Sequence, residues 1–118
     1  MLALCLTLSW VLSGCVRGAT SDKAVLGPLC AQSQGLLAAA SKDFQEFPPS
    51  RWPPGIAALA PESVYAGRTG LFIRLNLFFA DESGYFVPRK GAHIRATPAT
   101  DPSYETLGEG VFWYRIKG

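Results

Sequence analysis

Residues 70–79 read GLFIRLNLFF, and there the hydropathy takes on a period of two. Leu71, Ile73, Leu75, Leu77 and Phe79 fall on one side of an extended chain, and Phe72, Arg74, Asn76 and Phe78 on the other. Successive side chains of a strand point to opposite faces, so the alternation predicts a half-buried strand of about nine residues. Downstream, Asp81-Glu82-Ser83-Gly84 predicts a turn, with Gly84 free to take a positive φ. Tyr85–Val87 resumes as strand, and Pro88, lacking an N–H, limits it to an edge or an end. Gly91 opens a further strand at Ala92–Thr97, with His93 and Arg95 on its polar face. A loop follows (residues 97–103, TPATDPS), then a short strand at Tyr104–Leu107 and a turn at Gly108-Glu109-Gly110. In the last strand, Val111–Lys117, Phe112, Tyr114 and Ile116 alternate with Val111, Trp113, Arg115 and Lys117.

Working back from residue 70, Ile56–Ala60 suits one turn of helix ended by Pro61. Pro48–Gly55 (PPSRWPPG) is expected to be extended, with Trp52 latching this linker to the domain. Pro28–Phe47 is expected to be helical. Leu26, Cys30, Ser33, Leu37, Ala40, Phe44 and Phe47 recur at steps of three and four, one face of a helix that begins with Pro28 at its first position. The expected fold class is α+β: one N-terminal amphipathic helix packed on a small antiparallel sheet, or partial β-sandwich, of four to five strands. The globular part is expected to span residues 28–118, behind a tether at 15–27.

Asp81, Gly84, Pro88, Gly91, Ala92 and Ile94 fall in the order of a D-x-x-G turn followed by P-x-x-G-A-x-hydrophobic. With Leu107, Gly110, Phe112 and Tyr114 closing the segment, residues 81–118 are similar to the transthyretin-like or carboxypeptidase-regulatory-like β-sandwich pattern. The resemblance implies a β fold and an accessory or binding role, with no catalytic residues to carry over.

The start of the chain is different in kind. No charge occurs before Arg17, and residues 1–12 (MLALCLTLSWVL) form an apolar run. As a helix it would be roughly 18 Å long, too short to cross a bilayer but of the length of a signal-peptide core. It lacks the Lys or Arg with which such peptides open, and the alternative is a buried N-terminal helix or strand. The run ends in Leu12-Ser13-Gly14-Cys15. That tetrapeptide resembles the lipobox of bacterial lipoproteins: an aliphatic residue, two small residues that let a peptidase approach the backbone, then the cysteine that is acylated. The resemblance implies removal of residues 1–14 and a lipid anchor on Cys15. Val16, where an Asp would favour inner-membrane retention, implies an outer-membrane destination facing the periplasm.

Eleven Lys and Arg against nine Asp and Glu give a net charge of +2, without the basic excess that nucleic-acid binding requires. If Cys5 leaves with the leader and Cys15 carries lipid, Cys30 remains alone and suits a buried apolar position. One histidine, His93, leaves no material for a zinc site, and no phosphate loop or nucleophile-elbow motif is present. No cofactor or metal is expected. Should the strands pair as a meander, Arg74, His93, Arg95, Trp113 and Arg115 would form a basic and aromatic face suited to anionic or sugar-rich ligands. Alternatively, the helix covers Phe72 and Phe78 and the charges form a solvated rim. The functional expectation is a non-enzymatic, membrane-anchored envelope lipoprotein that binds a protein partner or an envelope polymer. A structural or accessory subunit docking through the Trp113 strand is the alternative, and a small hydrolase the remote one.

Overall fold

A computed structural model of the chain describes residues 17–41 and 43–118. The expectations about residues 1–16, Cys15 among them, lie outside the described residues. Helix α1 spans Lys23–Ala39. Asp22 caps it, its side chain accepting from the Ala24 N–H at 3.0 Å. The helix therefore starts five residues earlier than Pro28, which sits inside it, and takes up part of the expected tether. It also ends well before Phe47. Gln45 Oε1 accepts from the Ser41 N–H at 3.1 Å, Ala40 turns extended, and the next residues join the sheet. The buried stripe is Leu26, Leu29, Ser33, Leu36 and Leu37, with Cys30 half-buried at its edge. Phe44 is 61% exposed.

The strands are β1 (Gln45–Glu46), β2 (Ser63–Ala66), β3 (Gly70–Phe78), β4 (Asp81–Pro88), β5 (Ser103–Gly108) and β6 (Val111–Ile116). They form one antiparallel sheet of order β1-β2-β3-β4-β6-β5. The architecture is thus α+β, with six strands where four to five were expected. The two additions, Gln45–Glu46 and Ser63–Ala66, are too short to show a period. The stretch Pro48–Gly55 is not extended as expected: Pro49–Arg51 forms a 3-10 turn and Pro54-Gly55 open a short helix α2, Pro54–Ala57, while Trp52 pins the segment by donating to the Phe47 carbonyl at 2.9 Å.

Two local expectations fail for physical reasons. Residues 92–97 are not a strand; the connection from β4 to β5 is irregular and lays Ile94 on the sheet. The β3–β4 turn is Phe79-Ala80, with Phe79 at φ 57°, rather than residues 81–84. Gly84 serves close approach instead: a Cβ there would stand 1.9 Å from the Ile73 carbonyl oxygen. Opposite it, the β3–β4 register shifts between Arg74 and Asn76, a bulge that buries both Leu75 and Asn76.

The sheet has two apolar faces. On one, Leu71, Ile73, Leu75, Tyr85, Val87, Val111 and Trp113 meet Leu26, Leu29, Leu36 and Leu37 of α1. On the other, Phe72, Phe86 and Tyr114 form a smaller aromatic core with Tyr65, Tyr104 and Phe112. The helix covers the Leu71 face, so Phe72 does not lie beneath it; Phe78, which the bulge returns to that face, lies beyond the helix and is exposed. Gln34 and Arg89 tie the end of α1 to β4: Gln34 donates to the Pro88 carbonyl at 2.9 Å and Arg89 to the Leu37 carbonyl at 3.4 Å. We expect Gly84→Ala to lower stability by about 2–4 kcal/mol in urea unfolding, because backbone must move. Ser33→Ala should raise it by about 1 kcal/mol, since the buried Ser33 hydroxyl has no partner.

Candidate functional site

The five residues expected to form one basic and aromatic face are dispersed. Arg74 pairs across to Gly84 and Trp113 to Tyr85, and neighbouring positions of β4 face opposite ways. Trp113 therefore turns under α1, 6% exposed, edge-on to Tyr85 at 5.3 Å. Arg74 lies on the far face with its Nε 3.6 Å from a Glu62 carboxylate oxygen. Arg115 is exposed on the Trp113 side, and His93 and Arg95 are exposed in the irregular connection. Nor is Trp113 on a docking edge, because β6 pairs with both β4 and β5.

The far face is organised around Glu82. Its Oε2 accepts from the Tyr114 hydroxyl at 2.6 Å and from the Tyr65 hydroxyl, which ties β2, β4 and β6 across the sheet. Burial first, then the neighbouring carboxylate, pushes both phenols well above their ordinary range. Burial also raises Tyr104, against a hydrogen bond with Thr69. Phenols held neutral in this way are donors, not bases or nucleophiles. Cys30 is raised as well, by burial and then by the Glu109 charge, which disfavours the reactive thiolate.

The entering chain makes the most specific arrangement. The Arg17 N–H donates to Asn76 Oδ1 and the Asn76 amide donates back to the Arg17 carbonyl, both at 2.7 Å. The Arg17 guanidinium donates to the Leu59 carbonyl at 2.7 Å and the Leu75 carbonyl at 2.9 Å. Three residues on, the Thr20 N–H donates to the Tyr85 hydroxyl at 2.9 Å. Residues 17–20 are thus docked rather than slack. Beside them runs a shallow groove of about 430 Å³, lined in part by Arg17, Asn76, Phe78, Ser83, Trp113 and Arg115.

Two residues beyond Asn76, the hairpin tip is apolar and bare. Leu77, Phe78 and Phe79 are 45%, 60% and 90% exposed, and the two rings meet edge to face at 4.6 Å. Burying a Phe side chain is worth about 1.5–3 kcal/mol, a gain the fold forgoes here. It also holds Phe79 in the left-handed region, which costs a residue with a Cβ about 1–2 kcal/mol.

The chain matches no protein-family model, no curated protein and no solved structure. Among the described residues, no three His, Cys, Asp or Glu side chains gather as a metal site would require, and no helix is long and apolar enough to cross a membrane.

Sequence reasoning passed over Arg17, Asn76 and Glu82. A single polar residue in an alternating strand signals nothing by itself, and Glu82 reads as part of a turn. Nor did the tip stand out: Leu77-Phe78-Phe79 is a run of three apolar residues, but so is the buried Leu71-Phe72-Ile73. The raised phenols set a pH dependence. A group whose folded pKa lies above its unfolded value contributes stability below the unfolded pKa and loses it as pH rises. Stability should therefore fall above pH of about 10, where the unfolded phenols ionise. In a titration followed at the phenolate absorption band, the signal of Tyr65, Tyr104 and Tyr114 should appear together with unfolding. Tyr65→Phe with Tyr114→Phe should flatten the fall.

Proposed function

We propose that this chain is a non-enzymatic envelope lipoprotein, acylated on Cys15, that binds a protein partner or an envelope polymer at a membrane surface. The observation that carries this reading is the sequence Leu12-Ser13-Gly14-Cys15 at the end of an apolar run of leader length. The docking of Arg17 supports it, because a chain anchored at Cys15 would meet the domain at one defined end. The protonated phenols, the raised thiol and a single exposed histidine favour binding over catalysis. Arg115 on the Trp113 side and, separately, His93 and Arg95 in the β4–β5 connection are exposed basic groups open to an anionic partner.

One observation favours the accessory-subunit alternative. Strand β5 pairs only with β6; the Tyr104 N–H donates to the Thr97 carbonyl at 3.3 Å, and Glu105–Gly108 offers a backbone edge to which a partner strand could add.

Intact mass of the protein extracted from bacterial membranes tests the anchor. A chain starting at Cys15 with added acyl mass is expected, and an uncut chain with free thiols would overturn the reading. Cys15→Ser should abolish acylation and leave the chain uncut. Val16→Asp, in a Gram-negative host, should move the protein from the outer- to the inner-membrane fraction.

A further inference from the structure

We propose that the β3–β4 hairpin tip, Leu77-Phe78-Phe79, is a second membrane contact that inserts into the lipid interface beside the anchor. The inference rests on acylation of Cys15 and adds where the domain touches the bilayer. The argument is one of reach. Arg17 is clasped to Asn76, and Cys15 lies two residues before Arg17, a separation of at most about 7 Å. Phe78 lies two residues beyond Asn76 along a strand, again about 7 Å. A lipid on Cys15 thus holds the tip at the membrane surface with no slack to lift it away. What arrives there is three exposed apolar side chains in a row, 45%, 60% and 90% exposed, the last of them, Phe79, held in the left-handed region at the turn. Phenylalanine and leucine on a surface element enter the boundary between headgroups and acyl chains. Arg115 of β6 and Lys117 just beyond it flank this end, where they face phosphate headgroups, alongside the acidic Asp81.

The test uses the protein extracted from bacterial membranes and returned to vesicles of phosphatidylethanolamine and phosphatidylglycerol. Phe79→Trp introduces a fluorophore at the tip, with the parent protein's emission subtracted. Phe44→Trp places one at the other end of the sheet, where Gln45 pairs with Ala66 and Ala66 with Leu71. The added emission of Phe79→Trp should be blue-shifted and lost with lipids brominated high on the acyl chain, while that of Phe44→Trp should be quenched only by aqueous iodide. Acylated protein whose Phe79→Trp emission responds to iodide and not to brominated lipid would overturn the seating and leave the anchor intact. Equal lipid quenching at both sites would overturn it as well. A blue-shifted emission insensitive to brominated lipid would replace the bilayer with a second copy of the chain. Absence of acyl mass on Cys15 would remove the anchor, and the seating with it.

Discussion

Gly84 lies against the Ile73 carbonyl with no room for a side chain, and much of the fold follows from that contact. It lets β3 bulge, which turns Leu75 and Asn76 into the core on the helix side. With Asn76 turned inward, its amide becomes an adhesive surface: it bonds the backbone of Arg17 at both ends and donates to the Ser83 hydroxyl at 3.0 Å. Arg17 then caps the carbonyls of Leu59 and Leu75, groups that would otherwise need water. One missing methyl group thereby fixes where the chain enters the domain.

The two faces of the sheet are stabilised by different means. The helix side relies on aliphatic burial, with Leu26, Leu29, Ile56, Leu71 and Ile73 fully enclosed. The far side has no helix over it; the irregular connection, through Ile94, packs against its core. That core is built from aromatic rings that cover area with few side chains, Phe72 stacking on Tyr65 at 5.0 Å and meeting Phe86 at 4.8 Å. Polar tips are the cost of using tyrosine, and Glu82 meets it by taking two hydroxyls at once. The same carboxylate explains why β4 runs back to Asp81: residues 81–84 look like a turn by composition, but Glu82 has partners only as part of the sheet.

Strand β3 was legible because nine residues of alternation outweigh any local propensity, and β6 for the same reason. The helix was legible in kind, but its ends depend on contacts that lie elsewhere in the chain: Asp22 as cap and Gln45 reaching back to Ser41. Strands β1 and β2 were hidden by brevity, since two and four residues carry no period. The basic face failed on parity. Arg74 and Trp113 each sat correctly on its own strand, but their relative facing depends on which residue of β4 lies between them, and the register that decides this is not written in either strand. Asn76 obeys the alternation in the sequence, and only the bulge, which the pattern does not show, turns it inward.

The molecule has a polarity along its strands. The Gly118 N–H donates to Asp81 at 3.1 Å, so the last residue lies at the same end as Arg17 and the Phe79 tip. The turns at residues 67–69 and 109–110, the start of the β4–β5 connection and the C-terminal end of α1 all lie at the opposite end. Entry and exit from the domain are therefore neighbours, as in scaffolds that accept circular permutation. A module inserted at residues 109–110 would project along the strand axis, away from both chain ends, with the sheet between as a rigid spacer.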